Sequence, residues 1–280
     1  MITSLKLKRK LQSMREIEEI VSAMKAFANF NVQTAKKSLS NFRIYKNSIE
    51  DSFGDIITIF PHLIKYNPDN KKRTIYVLFL SQEGLCGFFN EDILNFFKKI
   101  PTEDSITIVM GEKGAQEAKS RKISCKHYLS GTSSVEAIEV NAIELSSYLI
   151  EIFEQEHFDN ITLIHAELET DSYKIVEEKV LPPDFSKLHK RSLRKEPLFY
   201  LNSKDILHSL IKEYLHISIY RAFLESVASE NQARLNTMIK ASNTIKKREK
   251  FFEQELNVHR QQEITDELLE ISNTYRSMTK

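Results

Sequence analysis

The chain has 280 residues, 41% of them hydrophobic and 28% charged, with a formal net charge of +1. That balance excludes a wholesale nucleic-acid binder and an acidic tail protein, and the length allows one or two domains with a real core. Two cysteines, Cys86 and Cys125, are too few for a disulfide framework and show no metal-ligand spacing, so a reducing compartment is expected. No apolar run reaches the roughly 18–20 residues of a membrane span. Leu5, Leu7 and Leu11 are separated by charges rather than gathered into a signal-peptide core.

Glycine and proline stop helices, and here they are confined to the middle. All six glycines lie between Gly54 and Gly131, and all six prolines between Pro61 and Pro197. Residues 1–58 are therefore expected to form one long N-terminal helix. Its apolar or small positions, Leu7, Leu11, Met14, Ile17, Val21, Met24, Ala28, Ala35, Leu39 and Phe42, step by threes and fours, as one helix face requires. Asn31 interrupts that stripe without ending it. About 50 residues make a rod of ~75 Å. Residues 1–50 carry ten Lys/Arg against four Asp/Glu, which reads first as a solvated face and second as a surface for an acidic partner.

The middle, residues 70–200, changes period. Residues 74–81 and 105–110 are β-branched and aromatic runs, the first bounded by Gly84 after it and the second closed by Gly111, read as buried strands. Glu91–Lys99 is expected as a short helix with Asn90 as its N-cap, and a second helix is expected from Gly111 through Lys122. Ile123–Leu129 is a third expected strand and Ser134–Glu156 a longer helix. Two further strands, Asn160–Leu168 and Tyr173–Leu181, are joined by turn residues 170–172. Such alternation predicts a small, largely parallel, Rossmann-like α/β domain.

The last arm, 203–280, is expected to start at Ser203 as N-cap after Pro197, with Asp205 in its first turn. Ile217, Leu224, Met238, Ile245 and Phe252 form one heptad column, and Tyr214, Ala228, Leu235 and Leu256 the other. Arg221, Asn231, Ser242 and Glu249 are polar intrusions into that seam. A 3.5-residue period predicts a coiled coil, and the first arm, necessarily antiparallel, is the nearest partner. A rod of ~110 Å would outreach the first arm by ~35 Å. Its projecting end still carries the apolar stripe Ile264, Leu268, Ile271 and Tyr275, which calls for a surrounding sleeve. The predicted fold class is thus α/β, a long antiparallel coiled coil of terminal helices with a small Rossmann-like domain between them.

Chemistry is sparse. There is no phosphate-binding G-x-x-x-x-G-K-[ST], and Gly84, Gly87, Gly111 and Gly114 lack dinucleotide-fingerprint spacing, so they read as strand-to-helix turns. Cys86 has no histidine nearby to activate it. The eight histidines form no ligand cluster, and Glu263, Asp266, Glu267 and Glu270 lie on the projecting rod. No catalytic, cofactor-binding or metal residue is assigned. A mechanical or scaffolding subunit fits best, against a small-molecule enzyme that uses the arms to dimerise. Nucleic acid is not expected, since Lys6, Lys8, Arg9 and Lys10 have no aromatic-basic surface around them.

Four segments together resemble one family. Ile20-Val21-Ser22-Ala23-Met24-Lys25-Ala26-Phe27-Ala28 resembles the N-terminal helix signature of the γ subunit of F-type ATP synthases. Ser81-Gln82-Glu83-Gly84-Leu85-Cys86-Gly87-Phe88-Phe89-Asn90 resembles its Ser-Asp-Arg-Gly-Leu-Cys-Gly-Gly-Leu-Asn segment. Glu225 to Met238 resembles its E-S-x-x-S-E-x-x-A-R-x-x-A-M stretch, and Asn257 to Leu268 its N-x-x-R-Q-x-x-I-T-x-E-L tail. They occur in the right order across nearly the whole chain. Gln82-Glu83 and Phe88 depart from the pattern, as a divergent or alternative-type member would.

The resemblance implies a non-catalytic central rotor shaft without a cofactor of its own, its coiled coil inside a head of three α and three β subunits. It implies an α/β domain resting, with the ε subunit, on a c-subunit ring, so that rotation couples proton or sodium flow to nucleotide chemistry on β. It implies a peripheral place on the cytoplasmic face of a bacterial inner membrane, without direct insertion. By matching, Met24 and Lys25 face the lever region of β, and Arg260, Gln261, Thr265 and Glu267 contact loops of the head. The competing reading is a coiled-coil scaffold subunit of an unrelated complex.

Overall fold

The computed structural model describes residues 4–61, 73–102, 104–183, 200 and 202–278; Pro197 lies outside them. Helix α1 runs Ser4–Ile59 and helix α5 runs Ser203–Met278, both uninterrupted, as a sequence without internal proline permits. Between them come β1 Thr74–Phe79, α2 Phe89–Phe97, β2 Ile106–Met110, α3 Glu112–Ser120, β3 His127–Leu129, α4 Ile138–Gln155, β4 Asn160–Leu168 and β5 Tyr173–Leu181. The chain divides into two compact units, residues 28–234 and the paired ends 1–27 with 235–280.

In the larger unit the sheet order is β3-β2-β1-β4-β5. Strands β1 to β4 are parallel, and β5 is an antiparallel edge paired to β4. Alternate residues of β1 feed two cores. Ile75, Val77 and Phe79 pack with Ile138, Ala142, Leu145 and Leu149 of α4 and Leu215, Ile219 and Phe223 of α5. Tyr76 and Leu78 pack on the other face with Phe89, Ile93 and Leu94 of α2 and Ala115 and Ala118 of α3. The period-2 alternation of a strand buried on both faces is what produces this division. A third cluster, Phe42, Ile49 and Phe53 of α1 with Ile217 of α5, joins the two long helices.

Several local expectations need correction. Helix α2 starts at Phe89, and Asn90 is not its N-cap: its side chain accepts from the Ser81 N–H at 2.9 Å and donates to Ser81 Oγ at 2.8 Å. The third strand is only His127–Leu129, because the Ile123 N–H bonds back to the Ala118 carbonyl and closes α3. Helix α3 ends at Ser120 and α4 begins at Ile138. At the start of α5 the Asn202 carbonyl takes the first helical N–H groups, from Asp205 and Ile206, so the cap lies one residue before Ser203.

Candidate partner-contact helix and buried polar joint

In the larger unit, residues 226–234 of α5 are buried at nine consecutive positions, so the helix is enclosed on every side. Helices buried all round are normally apolar, yet this stretch holds Ser226, Ser229, Glu230, Asn231, Gln232 and Arg234. Such groups are tolerable only when bonded, and the bonds go to strand carbonyls, to loop carbonyls and along the helix itself. Ser226 Oγ donates to Phe79 O of β1 at 3.4 Å and Ser229 Oγ to Ala166 O of β4 at 3.2 Å. The Leu168 N–H donates to Glu225 Oε2 at 3.0 Å. Arg234 reaches Gly84 O at 3.3 Å, Asn231 Oδ1 at 3.0 Å and Glu230 Oε1 at 2.5 Å.

Strand order reverses between β1 and β4, the place where open α/β sheets usually take ligands. Here α5 fills it. Burial pushes the Glu230 carboxyl up to about 7, against the opposing pull of Arg234. Lower on the same helix Arg221 bridges Glu178 Oε2 at 2.5 Å and Glu167 Oε1 at 3.4 Å. Arg221 is therefore a tie to the sheet, not an intrusion into a coiled-coil seam. Glu178 also meets His165 Nε2 at 3.4 Å. The polar joint was missed in the sequence, although Glu230 and Arg234 lie one turn apart among the small residues Ala228, Ser229 and Ala233, a spacing that signals close helix approach.

Of the four glycines expected in turns, Gly84, Gly87 and Gly111 lie outside helices, whereas Gly114 lies within α3, where its missing side chain allows close packing. Gly87 and Gly111 have positive φ, 65° and 99°, and a Cβ at Gly114 would stand 2.1 Å from Leu80 Cβ. A Cβ at Gly84 would meet nothing within 4 Å. Gln82 Oε1 accepts from Glu112 N at 3.1 Å and Gly131 N at 2.8 Å, drawing three loops together. Cys86 is buried and its thiol is pushed up by that burial.

The smaller unit is an antiparallel helix pair. Val21, Met238 and Ile245 form its buried cluster, with Met14, Met24 and Ala241 against it. Arg15 bonds Glu249 at 3.0 Å and Glu253 at 3.2 Å, Ser242 Oγ donates to Glu18 Oε1 at 2.7 Å, and Lys10 lies over the Phe252 ring. The polar residues Ser242 and Glu249 thus each have a partner across the pair. Met24 and Lys25 are half-buried, Met24 within that cluster. Arg260, Gln261, Thr265 and Glu267 are exposed, and Thr265 Oγ1 donates to Gln261 O at 2.8 Å. The described side chains from Arg260 to Met278 are all exposed, among them Ile264, Leu268, Ile271 and Tyr275. The structure does not bring Met24 and Lys25 together with this second set.

No described helix is long and apolar enough to cross a membrane. The geometry defines a class: a Rossmann-like domain whose ligand crevice is filled by its own C-terminal helix, and a helix pair formed by the chain ends. The profile of the family described as ATP synthase matches residues 3–278. The chain is 29% identical to the ATP synthase gamma chain of Amoebophilus asiaticus, covering 94% of each. It is 24% identical to that of Ureaplasma urealyticum, covering 95% of this chain and 96% of the relative. A chain of the Euglena gracilis mitochondrial ATP synthase in a cryo-EM structure of OSCP, F1 and c-ring superposes with a TM-score of 0.64. It is 15% identical, with 98% of this chain and 94% of that one covered. The chain belongs to the ATP synthase gamma-chain family.

Proposed function

We propose that this chain is the central-stalk rotor subunit of an F-type ATP synthase or ATPase. It couples proton or sodium flow through a membrane ring of c subunits to ATP synthesis or hydrolysis on the head by rotation. Three α and three β subunits form that head, the ε subunit lies beside the α/β domain, and the complex sits on the cytoplasmic face of a bacterial inner membrane. Residues 1–58 and 203–280 form the shaft and 70–200 its foot. The chain itself carries out no nucleotide chemistry.

The observation that carries this reading is the enclosed stretch of α5. A shaft must resist turning within its foot. Rotating α5 about its axis would break the bonds of Ser226, Ser229 and Arg234 to Phe79, Ala166 and Gly84 together, and would strand their buried polar groups. Exposed apolar residues beyond Arg260 suit a surrounding head. Met24, Lys25, Arg260, Gln261, Thr265 and Glu267 are proposed contacts with that head.

The test is gentle purification of the tagged chain from host membranes with an ATPase assay. Recovery of α and β at three copies each per tagged chain, with hydrolysis, supports the rotor reading. Recovery alone or with unrelated partners, without hydrolysis, leaves the coiled-coil scaffold.

A further inference from the structure

In the larger unit, α1, the start of α4 and α5 enclose an open groove of about 460 Å³. That volume falls within the ~300–1,000 Å³ range of small-ligand clefts. Its walls carry Phe42 and Tyr45 from α1, Glu139 from α4, and Glu213, His216 and Tyr220 from α5. Among the described residues, no lysine or arginine lines it. Phe42 and Tyr220 are stacked, with centroids 6.1 Å apart and planes at 25°. The Tyr45 hydroxyl donates to Glu213 Oε1 at 2.5 Å, which fixes that carboxylate in the groove wall. His216 is held by Ser146 Oγ at 3.3 Å.

We propose that this groove binds an organic cation, a guanidinium or alkylammonium group, between the carboxylates of Glu139 and Glu213 and the rings of Phe42, Tyr45 and Tyr220. Carboxylates supply charge-assisted acceptors, and ring faces attract the cation through their quadrupoles, more strongly once it is partly desolvated. Neither an anion nor a purely apolar ligand suits walls of this composition. The negative field is felt by the tyrosines themselves. The hydrogen bond from Tyr45 to Glu213 raises the Tyr45 hydroxyl, and burial followed by the Glu139 charge raises that of Tyr220. The site is built wholly from this chain's residues and stands independently of the rotor assignment.

The cation has two possible sources, a free polyamine-like molecule or a basic side chain of a bound protein. The full-length chain is titrated calorimetrically with spermidine and with arginine amide at low salt, beside Glu139→Gln/Glu213→Gln. Saturable binding that weakens by about tenfold or more in the double variant, with its melting temperature unchanged, supports a free ligand. A side-chain source is read by a photocrosslinker at Asn41 in cells. It is supported if free cations do not bind, the crosslink lands beside an arginine or lysine of a partner peptide, and the double variant loses it. Absence of both signals, or cation binding that the double variant retains, overturns the proposal.

Discussion

Asn31 on α1 and Asn231 on α5, 200 residues apart in sequence, face each other at 3.5 Å and donate to one shared carbonyl, Ser133 O, at 3.2 and 3.3 Å. Both are at most 1% exposed. A pair of amides converging on one acceptor sets the height of each helix against the loop before α4, much as a single buried asparagine sets coiled-coil register. Asn231 Oδ1 also receives Arg234 at 3.0 Å. Asn231→Leu removes that acceptor from a buried guanidinium, so it should cost about 2–4 kcal/mol. That is a fall of ~5–12 °C in melting temperature. Asn31→Leu leaves the Arg234 contact intact and should cost less. Thermal melts of both variants check the order, and an Asn231→Leu chain melting with the parent would remove the joint's structural role.

Two carboxylates, Glu178 half-buried and Glu230 fully buried, should give the stability opposite pH slopes in different windows. Burial would raise Glu178, but the hydrogen bond from His165 and the Arg221 charge outweigh it and hold the carboxyl at about 2. Its contribution is present above the ordinary value of 4.5 and is lost as pH falls from there toward 2. Glu230 is raised to about 7, so the folded state binds the proton more tightly than the unfolded chain. That contribution is present below about 4.5 and is lost as pH climbs through about 7. Urea unfolding at pH 5 and pH 8 should show the parent losing on the order of 2 kcal/mol more than Glu230→Gln across that interval. Parallel pH profiles for the two chains would contradict the assignment.

Strands β4 and β5 were legible to the residue because each is a β-branched or alternating run bounded by polar turn residues. The run before β3 misled because Ile123 and Cys125 reach the second core from a loop, so apolar residues there imply burial without pairing. Arg221 looked like a flaw in a heptad because its partners, Glu167 and Glu178, lie 54 and 43 residues away on other elements. Asn90 failed because a cap is inferred within its own helix, whereas its partner Ser81 lies two residues past β1. The proposal that Arg260, Gln261, Thr265 and Glu267 contact the head rests on resemblance alone, since an exposed helix face carries no packing signal in one chain.

Gly111 and Gly84 should respond very differently to a methyl group. At Gly111 φ is 99°, and a Cβ would lie 2.4 Å from Leu80 O and 2.7 Å from Ser81 O. Gly111→Ala meets both backbone strain and a clash with main-chain atoms that cannot swing away, so a loss of about 3 kcal/mol or more is expected. Gly84→Ala enters open space at a position without positive φ, and should fall within about 1 kcal/mol of the parent. Chemical denaturation of the two variants side by side reads the contrast. Equal losses would mean that loop closure, not the Leu80 and Ser81 carbonyls, governs this edge of the sheet.

Arg260 and Gln261 provide the sharpest separation of assembly from coupling. Both are exposed on α5 beyond the buried cluster of the helix pair, so truncating them should leave folding and subunit recovery unchanged. If the head contacts them at particular angles of rotation, their removal deletes attraction in some states and not others. Arg260→Ala/Gln261→Ala should then lower the ATPase turnover of the purified complex by about threefold to tenfold, roughly 0.7–1.4 kcal/mol in barrier height. Subunit stoichiometry on a native gel serves as the control. The decisive readout is turnover with ion-pumping efficiency, measured in the same vesicles. Normal turnover with normal pumping would remove these residues from the contact surface, whereas failed assembly would assign them to docking rather than to the rotary cycle.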